Sequence, residues 1–157
     1  DIETAEKHLR TAADIYDNRR AQEVLYKLYA DNNNLTLEKH YLTLLADENH
    51  LESFVLLGNI FSNEKNYNLA YTNYTHFFEG KKRSNAKVDM KKIDEEKLKF
   101  NFGKCCIKLG KFEDAERNLK DNSYLKVSDN VIEVAKLYEE AEQLKIAIQY
   151  YKSALHV

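Results

Sequence analysis

Two adjacent thiols, Cys105 and Cys106, are the strongest nucleophiles this sequence offers. Thiolate catalysis needs a base held beside the sulfur. The five histidines, His8, His40, His50, His76 and His156, are scattered along the chain, and none stands at i,i+4 beside a Glu as a zinc-protease helix requires. A Cys-Cys doublet also lacks the two-residue gap of a zinc knuckle or a redox pair. The four glycines, at 58, 80, 103 and 110, lie too far apart to form a loop that cradles phosphate. The expectation is a non-enzyme with no catalytic residue, no cofactor and no metal. Its thiols read as reduced and partly buried, which suits an intracellular location, cytoplasmic or nuclear.

Surface chemistry is what remains. A formal charge of -2 gives no overall attraction for nucleic acid or an anionic membrane. No apolar run approaches the roughly 20 residues of a spanning helix, so no membrane insertion is expected. At 43% apolar and 32% charged, the chain reads as a folded domain and not as a disordered one. It contains no Pro and only four Gly. Absence of the main helix breaker, with abundant Leu, Ala, Glu and Lys, predicts an all-α protein.

Apolar residues recur at helical spacing in about nine segments, and none shows a sustained period of two. Short polar breaks such as "DNNN", "NEKN" and "LGKFED" separate them, rich in residues that favour turns and caps. Within the segments a register repeats. Gly58, Gly103 and Ala135 each precede a second small residue, Ala70, Ala115 and Ala147, by twelve positions. Around them, "Phe54-x2-Leu57-Gly58-x2-Phe61" leads to "Ala70-x3-Tyr74-x2-Phe77", with related patterns before Ala115 and Ala147. Two helices approach closely only where side chains are small, and that burial offsets the roughly 1 kcal/mol cost of Gly in a helix.

This pattern resembles the tetratricopeptide repeat, a helix pair with a period of about 34 residues. The copies are degenerate: Phe54, Lys99 and Val131 stand where the family has Trp, and the repeat-ending Pro is missing. The resemblance implies a right-handed solenoid of antiparallel helix pairs. Aligned positions 5, 37, 70, 115 and 147 divide it into a partial repeat, 1–17, and repeats at about 18–50, 51–84, 96–127 and 128–157, a scheme preferred for keeping the period over a rival that pairs the first two helices and leaves the third as an extra. A basic insertion at about 80–95, with Lys81, Lys82, Arg83, Lys87, Lys91 and Lys92, lengthens one interval. A chain that opens mid-repeat and closes on "IAIQYYKSALHV", without a polar cap, reads as a piece of a longer solenoid.

In such arrays the first helices line a concave groove. Carried over by counting, the resemblance makes Arg19, Tyr26, Tyr29, Asn59, Asn63, Lys97, Phe100, Lys104, Lys108 and Lys136 candidates for contact with a partner. The aromatics are anchors, and the lysines favour acidic protein or peptide segments. Family members that grip a terminal carboxylate place basic residues where this chain has Val55, Asp129 and Glu133, which argues against that ligand although Asn59 and Asn101 match. RNA binding calls for a basic inner face, and Glu52, Asp129 and Glu139 interrupt this one. The expected function is therefore a non-catalytic scaffold segment within a multi-protein assembly. A peptide-binding groove adaptor is the alternative.

Overall fold

The computed structural model describes residues 1–84 and 93–157. The central part of the basic insertion, with Lys87, Lys91 and Lys92, lies outside the described residues. Among those described there are nine α-helices and no strand. The helices are α1 (Ile2–Ile15), α2 (Arg19–Asp31), α3 (Leu35–Leu45), α4 (Leu51–Asn63), α5 (Tyr67–Arg83), α6 (Glu95–Lys108), α7 (Phe112–Leu119), α8 (Ser128–Glu140) and α9 (Leu144–Ala154). One turn of 3-10 helix, Ser123–Lys126, precedes α8. Among the described residues no helix is long and apolar enough to cross a membrane.

The polar breaks work as caps. Asn18 Oδ1 accepts from the Ala21 amide at 2.9 Å, Asn34 from Leu37 at 3.3 Å, Asn66 from Leu69 at 3.4 Å, and Asp94 from Lys97 at 3.0 Å. Each satisfies an amide that the first helical turn leaves without a partner.

Four of the inter-helix turns are built alike. Between α2 and α3, α4 and α5, α6 and α7, and α8 and α9, one residue adopts a left-handed conformation. These residues are Asn33, Lys65, Gly110 and Glu142, with φ of 55°, 61°, 73° and 60°. The next amide, of Asn34, Asn66, Lys111 or Gln143, donates back to the carbonyl of Tyr29, Phe61, Cys106 or Tyr138 at 2.8, 2.8, 2.9 and 2.9 Å. This six-to-one bond closes the orphan carbonyls at a helix end and turns the chain back. It also corrects a register. Counted from the turns, the residue equivalent to Ala70, Ala115 and Ala147 is Glu38 and not Leu37, so the aligned positions 38, 70, 115 and 147 are 32, 45 and 32 apart.

The chain divides into two compact units, Asp1–Leu57 with His76–Ala86, and Gly58–Thr75 with Lys87–Val157. In the first, α2 packs on both α1 and α3, and Leu25, Tyr41, Leu42, Leu45 and Phe77 are fully buried. The start of α4 crosses the end of α5 closely enough that a Cβ on Gly80 would lie 2.5 Å from Leu51 Cδ2.

In the second unit α6 packs on α7 and α8, and α8 on α9. Ala70, Ala115, Ala135 and Ala147 are all buried there. A Cβ added to Gly58 would sit 2.5 Å from the Tyr74 ring, and one added to Gly103 2.6 Å from Leu119 Cγ. Tyr74 and Leu119 each stand four residues after the small residue of the second helix. The glycines therefore receive the large side chain one turn beyond Ala70 and Ala115.

Candidate functional site

Burial separates the groove candidates into two kinds. Tyr26, Tyr29 and Phe100 are 6%, 4% and 4% exposed. Tyr26 lies edge-on to His50, and burial pushes its hydroxyl up to about 12. Tyr29 stacks on Tyr41 with ring centroids 5.8 Å apart and donates its hydroxyl to Glu6. Phe100 stacks on Tyr124 of the 3-10 turn at 5.6 Å, with the Lys104 ammonium 4.6 Å from its centroid. These rings are internal contacts of their units.

Several of the cations are also engaged. The Arg19 guanidinium donates to both carboxylate oxygens of Asp47 at 2.7 and 3.0 Å, and to the Leu45 carbonyl at 3.0 Å. It thereby closes the C-terminal end of α3, where the helix dipole favours positive charge. Lys104 pairs with Glu133 at 2.9 Å and Lys108 with Glu140 at 2.8 Å, two ties from α6 to α8. The Lys108–Glu140 hydrogen bond raises the ammonium pKa and lowers that of the carboxyl. Lys97 and Lys136 are exposed.

The second unit brings four of the candidates together. Asn59, Asn63, Lys97 and Lys104, with Ser62, Asn101 and Tyr74, line a cleft of about 300 Å³. Tyr74 donates its hydroxyl to Asn59 Oδ1 at 2.7 Å, which fixes that carboxamide and leaves its NH2 group as the available donor. Among the described residues, no carboxylate lines the cleft. Three carboxamides supply N–H donors beside their carbonyl acceptors, and the exposed Lys97 adds an ammonium while Lys104 is tied to Glu133, so the cleft can take acceptors such as peptide carbonyls or side-chain carboxylates.

The two thiols are enclosed. Burial pushes the Cys105 thiol up to about 11 and Cys106 up to about 12, and Cys105 Sγ donates to the Tyr67 carbonyl at 3.2 Å. A Ser-His-Glu arrangement that the spacing did not disclose joins Ser53 Oγ to His50 Nδ1 at 2.7 Å, with His50 Nε2 3.7 Å from Glu23. Ser53 is fully buried, so its hydroxyl meets no substrate. The 3-10 turn and the many tyrosine–carboxylate bonds also went unforeseen. Tyr71 donates to Asp114 at 3.1 Å, Tyr124 to Asp94 at 2.6 Å and Tyr138 to Glu116 at 2.6 Å, pairs that no local spacing announces. Against known proteins, the chain matches no family model, no curated protein and no solved structure.

Proposed function

We propose that this chain is a non-catalytic protein–protein interaction module of tetratricopeptide type, a right-handed solenoid segment that acts as a scaffold within an intracellular multi-protein assembly. The observation that supports it is recurrence. Four helix pairs share one turn, with the same left-handed residue and the same six-to-one bond. Two of them share the close approach of a glycine to a large side chain. A repeated pair of this kind stacks on its neighbours and presents extended surface as its working part.

The alternative, a peptide-binding groove, is favoured by the cleft of Asn59, Asn63, Lys97 and Asn101, which would take an acidic or extended segment. Capture of partners from native lysate by the chain, beside an Asn63→Asp, Lys97→Glu variant, tests the pair of readings. Partners retained by the variant support the scaffold. Partners lost with it transfer the function to the cleft, and an absence of any stable protein partner refutes both.

A further inference from the structure

Tyr26 and Glu38 stand twelve residues apart, as Gly58 and Ala70 do, and Gly103 and Ala115. In the first unit, therefore, a tyrosine and a glutamate hold the two positions that small residues hold in the second. Neither side chain is partnered. Tyr26 is 6% exposed, yet its hydroxyl makes no hydrogen bond among the described residues. Glu38 is half-buried, its carboxylate has no hydrogen bond or ion pair among the described residues, and burial raises its pKa. An ionised group held in this way costs stability, and such groups gather where a ligand completes them.

Two more carboxylates act on the same hydroxyl. Glu23 stands one turn before Tyr26 on α2, and Glu52 lies in the first turn of α4. Burial first, then Glu52, Glu23 and Glu38, push the hydroxyl up to about 12, and no cation pulls it back. The neighbouring cations are placed otherwise. Arg19 is held by Asp47, and Arg83 lies between Glu48 and Glu79. His50 Nε2 is 3.7 Å from Glu23, and the Lys27 ammonium is 5.8 Å from the centroid of the Tyr26 ring. Arg20 is exposed on α2, and Lys39 and His40 follow Glu38 on α3. Among the described residues, none of these cations pairs with Glu38 or Glu52. Lys27 and His50 sit against the Tyr26 ring and Glu23, which leaves Glu38 and Glu52 uncompensated.

We propose that this corner of the first unit receives a cationic side chain, Lys or Arg, of a partner protein, with Glu38 and Glu52 as its carboxylate ligands, Glu23 on the rim and the Tyr26 hydroxyl as a further acceptor. A guanidinium or an ammonium carries several donors and no acceptor, the complement of three carboxylates and a phenol oxygen. The site shares no residue with the cleft of Asn59 and Lys97, so the proposal stands or falls apart from the peptide-groove reading.

Two short end-blocked glycine peptides, one with a central arginine and one with citrulline, which keeps the shape and loses the charge, test it by NMR against the 157-residue chain. The arginine peptide is expected to shift the Tyr26 and His50 ring resonances saturably, and to bind about tenfold more tightly than the citrulline peptide, by a margin that shrinks with salt. The Glu38→Gln, Glu52→Gln double variant should weaken that binding about tenfold. Its stability to urea at neutral pH should be unchanged or higher, because two uncompensated charges are gone. No shift at Tyr26 and His50, equal affinity for both peptides, or binding undiminished in the double variant overturns the proposal. So does a variant that loses stability together with binding, since the carboxylates are then structural. Displacement of the arginine peptide by an equal concentration of magnesium ion also overturns it, because the occupant is then an inorganic cation.

Discussion

Replacing Gly103 with Ala sets two opposed effects against each other. Helix propensity favours Ala by roughly 1 kcal/mol. The new Cβ, however, would stand 2.6 Å from Leu119 Cγ, 2.8 Å from Cδ2 and 3.3 Å from Cδ1. Carbon pairs settle at about 3.5–4.0 Å, so something must move by about 1 Å. Leu119 is fully buried, and its branch point, not a free tip, meets the new methyl. Overpacking of this kind costs about 1–3 kcal/mol, which leaves Gly103→Ala less stable by about 1 kcal/mol once propensity is deducted. Leu119→Ala alone should cost about 2–5 kcal/mol through the void it leaves. In the double variant the methyl introduced at position 103 occupies part of that void, so the combined loss should fall short of the sum by about 1–2 kcal/mol. Gly110→Ala is the control: nothing lies within 4 Å of its Cβ, and only its φ of 73° is strained. It should lose about 1 kcal/mol and add independently to Leu119→Ala. Urea unfolding followed by circular dichroism gives all five values, the Gly110→Ala, Leu119→Ala double included. If Gly103→Ala is more stable than the parent, and additive with Leu119→Ala, the close-approach reasoning fails.

Three further expectations follow from local geometry. Lys65→Gly and Glu142→Gly, at φ of 61° and 60°, relieve a left-handed strain and should each stabilise by about 0.5–1 kcal/mol in the same melts; destabilisation would mean their side chains hold the turns. Cys105 and Cys106, raised to about 11 and 12 by burial, should resist a thiol reagent at neutral pH until urea is added, and rapid labelling of the native chain would contradict their enclosure. The Asp94 carboxyl lies below its ordinary pKa because Tyr124 donates to it at 2.6 Å. A depressed pKa contributes stability above the unfolded value and loses it as pH falls through the folded one. Asp94→Asn should therefore be less stable than the parent at neutral pH, with the gap closing below roughly pH 4; a gap independent of pH would remove the carboxylate from the argument.

The helices and their breaks were legible because Asn and Asp declare a cap by their chemistry, as Asn18, Asn34, Asn66 and Asp94 do. The small-residue register was legible too, since Gly inside an apolar helix has few uses. Its partner was displaced by one turn: Gly58 meets Tyr74 and Gly103 meets Leu119, with Ala70 and Ala115 lying alongside. The first pair slipped by one residue. Leu37 attracts an apolar alignment that puts Tyr41 and Leu44 at the following positions. The turn at Asn33 instead puts Glu38 in that place, followed by the buried Leu42 and Leu45, while Leu44 is 42% exposed. Turn geometry, not apolarity, sets the register there. Of the positions named by counting, Asn59, Asn63 and Lys97 line one cleft, while Tyr29 stacks on Tyr41 and Phe100 on Tyr124, ring pairings that no local spacing announces.

The tyrosine–carboxylate bonds have a spectroscopic consequence. The chain has eleven tyrosines and no tryptophan, so its ultraviolet emission is tyrosine emission undistorted by energy transfer to indole. Seven of the eleven, Tyr29, Tyr41, Tyr71, Tyr124, Tyr138, Tyr150 and Tyr151, donate to Glu or Asp. A carboxylate hydrogen-bonded to an excited phenol accepts its proton and darkens it. The folded molecule should therefore be dim and should brighten on unfolding. Glu116, which accepts from both Tyr138 and Tyr150, is a single switch for two of these emitters, and its replacement would light the α7–α9 region while the rest of the chain stays dark.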